Sequence, residues 1–229
     1  MKAVLFDLDD TLYPEIEFVK SGFRAVACHL SSRYHLNEDT LFTKMLEILQ
    51  RDGRGRVFDT LLCDLGMYAE EKVRLLVYLY RSHCPTIHPY EDALPMISRL
   101  KEGGLHLGVI TDGMASVQRG KVKALGLGEL FDVIIYTDEV GREYWKPSVI
   151  PYQVALDLLR VEPSEAAYVG NDLGKDFLGA NALGMLAIQV KRSMQQDCVQ
   201  TESVEPSAPR FVVNKLNKVL HIVEEKCDV

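Results

Sequence analysis

Five short, mainly apolar runs of residues predict buried strands, since each is too short for a helix and each ends at a polar residue or glycine. Continuous apolar runs are typical of parallel strands that are covered on both faces of a sheet. The runs occupy residues 3–6, 105–110, 131–136, 166–169 and 186–190.

Stretches with a helical pattern alternate with the last four of these runs, at residues 93–101, 116–125, 149–160 and 177–183. Glycines after several of these stretches suit the ends of helices. Strands that alternate with helices are typical of βαβ units. We therefore predict an α/β fold with a Rossmann-like core, in which helices cover a parallel sheet in three layers.

A long segment without strand-like runs follows the first strand. Apolar residues recur there every four positions, at 18–30, 41–49 and 58–77, which predicts packed helices. We therefore predict a small helical domain at residues 15–86, inserted into a core of residues 1–14 and 87–229. Within the core, the polar stretch 191–210 predicts a surface loop, and 211–227 predicts a last strand and helix.

The composition of the 229 residues is that of a globular protein, with 47% hydrophobic and 26% charged residues. The net charge of −7 argues against a nucleic acid or an anionic membrane as the main partner, because both attract basic proteins. The five cysteines form no CxxC pair, which disfavours a disulfide framework or zinc site and favours reduced thiols in the cytoplasm. No pattern predicts the oligomeric state.

Acidic residues follow the first predicted strand, where Asp7 and Asp9 open a DxDxT pattern. Ligands of open parallel sheets bind beyond the carboxyl ends of the strands, and alternate residues of an extended chain project to one side. Two close carboxylates repel each other, and a hard dication such as Mg²⁺ relieves that repulsion. We therefore expect a magnesium site at Asp7 and Asp9, the alternative being an acidic turn without function.

Two further segments carry candidates for binding a phosphate group. Thr111, Asp112 and Gly113 lie between a predicted strand and a helix, where a hydroxyl and turn N–H groups suit phosphate oxygens. A simple N-cap is the alternative for Thr111. Lys146 precedes a proline and is either a fixed cation directed at a phosphate or a solvated surface charge.

The strand at 166–169 is followed by Gly170, Asn171 and Asp172, with Asp176 four residues further on. Amide and carboxylate oxygens are suitable ligands for Mg²⁺. We therefore predict that Asn171 and Asp172 complete the magnesium site, with Asp176 as a further candidate.

Taken in order, these groups at successive strand ends resemble the motifs of the haloacid dehalogenase-like hydrolase superfamily over nearly the whole chain. The helical insert resembles the C1-type cap of that superfamily. The resemblance implies a magnesium-dependent phosphatase that acts on a small phosphate ester, such as a sugar phosphate or nucleotide. It implies that Asp7 is the nucleophile, that Asp9 is the general acid and base, and that Asp9 also offers its backbone carbonyl to the metal. Thr111 and Lys146 would hold the phosphoryl oxygens.

One position departs from the superfamily pattern, because the last motif usually begins Gly-Asp and this chain has Gly170-Asn171. The resemblance therefore implies an uncharged ligand at Asn171, or a replacement by Asp172 or Asp176.

Two other functions remain open from the sequence. A 2-haloacid dehalogenase also uses an aspartate nucleophile, but its halide leaves without an acid, so the presence of Asp9 disfavours it. The other alternative is a catalytically idle binding protein on the same scaffold.

Overall fold

The chain divides into two units in the computed structural model, which describes residues 1–203 and 205–225. The first unit contains the described residues of Met1–Pro14 and His88–Val229, and the second is Glu15–Ile87. Cys227 and the end of the predicted last helix lie outside the described residues. Within them, no helix is both long and apolar enough to cross a membrane.

The first unit contains a sheet whose strands, in the described part of the chain, are β1 Ala3–Phe6, β2 His106–Thr111, β3 Val133–Tyr136, β4 Ala166–Gly170, β5 Leu186–Val190, β6 Cys198–Gln200 and β7 Phe211–Val213. Their order is β3-β2-β1-β4-β5-β7-β6. Every neighbouring pair is parallel except β6 and β7. The predicted parallel α/β fold is confirmed.

The α-helices are α1 Glu15–Tyr34, α2 Glu38–Asp52, α3 Val57–Asp64, α4 Glu70–Ser82, α5 Ala93–Glu102, α6 Ala115–Ala124, α7 Thr137–Val140, α8 Ile150–Leu159, α9 Leu178–Leu183 and α10 Asn217–Glu225. Helices α1 to α4 form the second unit, and the others belong to the first. Short 3₁₀ helices lie at Arg142–Tyr144 and Pro163–Glu165.

Strand β1 lies in the middle of the sheet, and all four of its residues are fully buried. Ala3 and Leu5 belong to a core that includes residues of α8 and of the neighbouring strands. Because side chains alternate along a strand, Val4 and Phe6 lie on the opposite face. This burial on both faces explains the continuous apolar run, and it leads the chain directly to the polar residues after Phe6.

The second unit packs its helices around α1, which contacts both α2 and α4. Its core includes Val26 and Leu30 of α1, as the periodicity predicts. Gly22 of the same helix is also buried, and the ring of Tyr80 occupies the space beside it. A Cβ atom at position 22 would lie 2.4 Å from Cδ2 of Tyr80.

The prediction of a surface loop over 191–210 is wrong for residues 198–200, which form β6. This strand lies at the edge of the sheet and pairs antiparallel with β7. Its residues are exposed or only half-buried, so they carry no apolar pattern that predicts a strand. Pairing with β7 supplies the hydrogen bonds that define it.

Replacing Gly22 with alanine should destabilise the helical unit, because its new methyl group collides with the ring of Tyr80. We expect the free energy of unfolding to fall by about 1–3 kcal/mol, as in other overpacked cores, measured by denaturant unfolding. Gly120→Ala is the matched control, since it lies within α6 and a Cβ there meets nothing within 4 Å. That variant should gain about 0.5–1 kcal/mol from helix propensity. Equal stability of both variants would contradict the packing of Tyr80.

Candidate active site

The order of the strands brings three of the predicted segments to one edge of the sheet. Strand β1 lies between β2 and β4 and is parallel to both. Their carboxyl ends are therefore adjacent, and they carry Asp7, Thr111 and Gly170. Lys146 reaches the same place from the loop that precedes α8.

Asp7 is almost completely buried at the end of β1. Its backbone N–H donates to the carbonyl of Val169 at 2.8 Å, which continues the pairing with β4 past the last strand residue. Its Oδ1 accepts a hydrogen bond from Nζ of Lys146 at 2.6 Å. Its Oδ2 accepts a longer bond of 3.4 Å from the hydroxyl of Thr11. One oxygen is thus held by a short bond to Lys146, and the other by the longer bond to Thr11.

Lys146 is a buried cation and not a solvated surface charge, since none of its side chain is exposed. Its Nζ donates to Asp7 and also to Oδ1 of Asp176 at 2.8 Å. It lies 3.1 Å from the hydroxyl of Tyr168 and 3.3 Å from the carbonyl of Ile110. These partners come from strands β2 and β4 and from the loops after β1 and β4, so Lys146 joins the carboxyl ends of the central strands.

The ammonium group of Lys146 faces two carboxylates at this centre, and the charge of Lys175 also acts on Asp7. Burial raises the pKa of Asp7, with a further contribution from Asp176 that Lys146 opposes. Burial alone would lower the pKa of Lys146, but the charges of Asp7 and Asp176 raise it well above its usual value. Lys146 therefore stays protonated.

Asp176 has a full set of hydrogen-bond partners within the protein. Besides Lys146, its Oδ1 accepts from the hydroxyl of Tyr168 at 3.3 Å. Its Oδ2 accepts from the backbone N–H groups of Asn171 and Asp172, at 3.0 and 2.9 Å. Gly170 permits this close approach, because a Cβ there would lie 2.5 Å from Oδ2. Asp176 thus positions Lys146 and the loop after β4.

Asn171 and Asp172 point to different surroundings. The Oδ1 of Asn171 accepts from the hydroxyl of Thr11 at 3.3 Å, and this hydroxyl also faces Oδ2 of Asp7. Asp172 is exposed, and its Oδ1 accepts from the N–H of Gly174 within its own loop at 2.8 Å. Of the two side chains, that of Asn171 lies beside Asp7.

The predicted phosphate-binding segment begins at Thr111, which is fully buried. Its hydroxyl oxygen is 2.5 Å from the side-chain nitrogen of Gln118. Asp112 directs its Oδ1 toward the protein, where it accepts from the hydroxyl of Thr137 at 2.8 Å and from the N–H of Lys146 at 3.2 Å. Gly113 has a φ of 118°, a backbone conformation that other residues rarely adopt.

Asp9 is held by three donors that the sequence analysis did not single out. Its Oδ1 accepts from the hydroxyl of Tyr13 at 2.5 Å and from Nζ of Lys121 at 2.6 Å, and its Oδ2 accepts from Gln118 at 2.8 Å. Burial raises the pKa of Asp9, but the charge of Lys121 and these hydrogen bonds together lower it. Gln118 and Lys121 are three residues apart on the helix that follows Thr111, so they share one face of that helix. This spacing is the sequence pattern that could have identified them.

Comparison with known proteins gives a consistent match over nearly the whole chain. The model of a family described as haloacid dehalogenase-like hydrolase matches residues 4–190. The glyceraldehyde 3-phosphate phosphatase of Methanopyrus kandleri is 32% identical, over 98% of both chains. The protein of that name from Methanocaldococcus jannaschii is 29% identical, over 98% of this chain and 97% of the relative. A solved structure, the HAD phosphatase from Thermococcus onnurineus, is 28% identical with a TM-score of 0.63, covering 97% of this chain and 98% of that one.

Replacing Asp176 with asparagine should destabilise the first unit. An amide cannot accept from Lys146 on one side and from two N–H groups on the other, because its nitrogen must face one set of donors. We expect the free energy of unfolding to fall by about 3 kcal/mol, as when a buried ion pair is broken. Asp172→Asn is the control, since an exposed asparagine can still accept from Gly174, and its change should stay within about 0.5 kcal/mol. Equal effects in denaturant unfolding would refute the structural role of Asp176.

Proposed function

The chain belongs to the haloacid dehalogenase-like hydrolase family, and we propose that this phosphatase hydrolyses a small sugar phosphate or nucleotide through an aspartyl-phosphate on Asp7. The observation that carries this proposal is the state of the Asp7 carboxylate. It is buried, held through Oδ1 by Lys146 at 2.6 Å, and makes only a long bond of 3.4 Å to Thr11 through Oδ2 among the described contacts. The 32% identity to a glyceraldehyde 3-phosphate phosphatase makes a short phosphorylated sugar the first substrate to test.

The first chemical step forms a bond between the Asp7 carboxylate and phosphorus while the bond from phosphorus to the leaving oxygen breaks. Asp9 gives its proton to that oxygen, and general acid catalysis of this kind contributes about 10²–10⁴-fold in rate. The approaching phosphate dianion favours the protonated form of Asp9, since a like charge raises the pKa of a carboxyl group.

In the second step, a water oxygen attacks phosphorus, Asp9 takes a proton from that water, and the bond to Asp7 breaks. Lys146, the hydroxyl of Thr111 and the N–H groups of the turn at Asp112 and Gly113 would hold the phosphoryl oxygens. Fixed donors of this type usually supply the largest share of transition-state stabilisation.

The side chains of Asp7 and Asn171 fit a magnesium ion by the chemistry of their oxygens. The hydroxyl of Thr11 has one proton but faces both Asp7 Oδ2 and Asn171 Oδ1, so it can donate to one of these two acceptors at a time. No cluster of three or more His, Cys, Asp or Glu residues suited to a metal is found in the described part of the chain. We therefore propose Asp7, Asn171 and the backbone carbonyl of Asp9 as the ligands, with Asp172 as the alternative. When bound, Mg²⁺ supplies positive charge that offsets repulsion between Asp7 and the phosphate.

The two rival functions predict different results with the same protein. A dehalogenase attacks carbon and releases a halide that needs no proton. Its reaction therefore does not require an acid at Asp9 or the three donors that hold Asp9 in place. A binding protein without catalysis does not require the buried Asp7 carboxylate that pairs with Lys146. Activity on a generic aryl phosphate separates both from the proposed phosphatase.

We assign the catalytic core to the first unit and the cap to the helical unit Glu15–Ile87. Cys28, Cys63, Cys84 and Cys198 are exposed, and exposed cysteines suit the proposed reducing, cytoplasmic location.

Asp7→Asn should abolish phosphatase turnover and leave the fold intact, because an amide keeps the shape of the carboxylate but is not a nucleophile. We expect less than a few per cent of wild-type kcat with glyceraldehyde 3-phosphate and with p-nitrophenyl phosphate in the presence of Mg²⁺. Asp157→Asn, a change on α8 at a side chain that accepts a hydrogen bond from Gln153, is the control and should retain full activity. A substantial residual rate in Asp7→Asn would rule out Asp7 as the nucleophile.

Asn171→Asp should bind Mg²⁺ several-fold more tightly than the wild type, because it adds a charge to the proposed ligand set. Calorimetric titration with Mg²⁺ measures this directly, and Asp172→Asn is the comparison, for which we expect nearly unchanged affinity. Unchanged affinity in the first variant together with near-complete loss in the second would make Asp172 the ligand.

A further inference from the structure

We infer that Gln118 and Lys121 of α6 are positioning residues, which orient the Asp9 carboxylate and the Thr111 hydroxyl for the two chemical steps. This inference rests on the proposed function and assigns roles to two side chains that touch neither the reacting phosphorus nor the leaving oxygen.

Within the described part of the chain, the hydrogen bonds around Asp9 leave one acceptor position available, on Oδ2. An ionised carboxylate has about four acceptor positions, two on each oxygen. Tyr13 and Lys121 fill those of Oδ1, at 2.5 and 2.6 Å. Gln118 fills one position of Oδ2, at 2.8 Å. The remaining position on Oδ2 is therefore the one that exchanges a proton with the leaving oxygen and with water.

The amide of Gln118 links Asp9 to Thr111. Its Nε2 carries two hydrogens, which point to Asp9 Oδ2 and to Thr111 Oγ1, at 2.8 and 2.5 Å. A carboxylate only accepts hydrogen bonds, so the nitrogen of the amide must face Asp9. The oxygen of Thr111 then acts as an acceptor toward Gln118, and its own hydrogen is free to donate to a phosphoryl oxygen.

The burial of both side chains is unusual for their residue types. Gln118 is 1% exposed and Lys121 is 4% exposed, whereas glutamine and lysine mostly lie at the surface. They are three residues apart, and residues with this spacing share one face of a helix. Helix α6 thus directs two long polar side chains inward at the same carboxylate, where a helix that only packs against a core would carry apolar ones.

The test separates the two steps by the choice of leaving group. In Lys121→Met, an alkyl phosphate such as glycerol phosphate should lose about 10²-fold in kcat, because its alkoxide depends on an acid that Lys121 no longer holds in orientation. The nitrophenolate of p-nitrophenyl phosphate needs little acid, so its first step should stay fast while hydrolysis of the aspartyl-phosphate slows. We therefore expect a pre-steady-state burst approaching one nitrophenolate per active site and larger than in the wild type, with KM for both substrates nearly unchanged.

Lys123→Met is the matched control, since it makes the same chemical change at an exposed position of α6, and it should behave like the wild type. Lys121→Arg should recover most of the alkyl phosphate activity, because it restores a cation to Asp9. Gln118→Leu provides a second, independent variant. It should both slow the alkyl phosphate and weaken inhibition by orthovanadate, a phosphate analogue that needs the Thr111 donor, whereas Gln153→Leu on the surface should change neither.

Equal loss for alkyl and aryl phosphates in Lys121→Met, without an increased burst, would overturn the positioning role, as would wild-type kinetics in that variant. If Lys121→Met does not fold, Gln118→Leu provides the test instead. A wild-type ratio of alkyl to aryl phosphate activity in Gln118→Leu, together with wild-type inhibition by vanadate, would overturn the positioning role. An inactive wild type would overturn the proposed function and the positioning role together, whereas an active wild type with unaffected variants overturns only the latter.

Discussion

The ammonium group of Lys146, enclosed between Asp7 and Asp176, is the interaction on which the site depends. A buried charge is tolerated only when partners surround it, and here they come from β1, from the loop after β4 and from the hydroxyl of Tyr168. Because the lysine sits in the loop before α8, its charge ties that loop to the sheet. The same contact that holds the fold at this edge also fixes one oxygen of Asp7.

The remaining parts of the site are arranged around this centre by backbone groups and short side chains. Asp112 ties the end of β2 to the backbone of Lys146 through its carboxylate, and Asp176 ties the backbone after Gly170 to the side chain of Lys146. Thr11 lies between Asp7 and Asn171. The segments that bring reactive groups to the edge of the sheet are thus connected to one another before any ligand binds.

Local patterns predicted most of the sheet, since burial on both faces produces apolar runs wherever a strand is central. Strand β5 has the predicted bounds, and helices α5, α6, α8 and α9 begin and end within one residue of prediction. The short helix α7 was not predicted, and the predicted end of α10 lies outside the described residues. Edge strand β6 was missed because pairing, and not burial, defines it. The roles of Lys146 and Asp176 depend on contacts across 30 residues, which no local pattern contains. Gln118 and Lys121 were missed for a related reason, because polar residues on a helix ordinarily indicate its solvent face.

The space beside Gly170 has a consequence for how the protein tolerates variation. Gly170 has no functional side chain, yet saturation mutagenesis should find that it tolerates no replacement. A Cβ atom at this position would lie 2.5 Å from the carboxylate of Asp176 and would displace it. Asp172, a charged residue two positions away, should accept many replacements because it faces solvent. Mutational sensitivity at Gly170 therefore follows the free volume around the backbone, and sensitivity at Asp176 in the same loop follows the chemistry of its side chain.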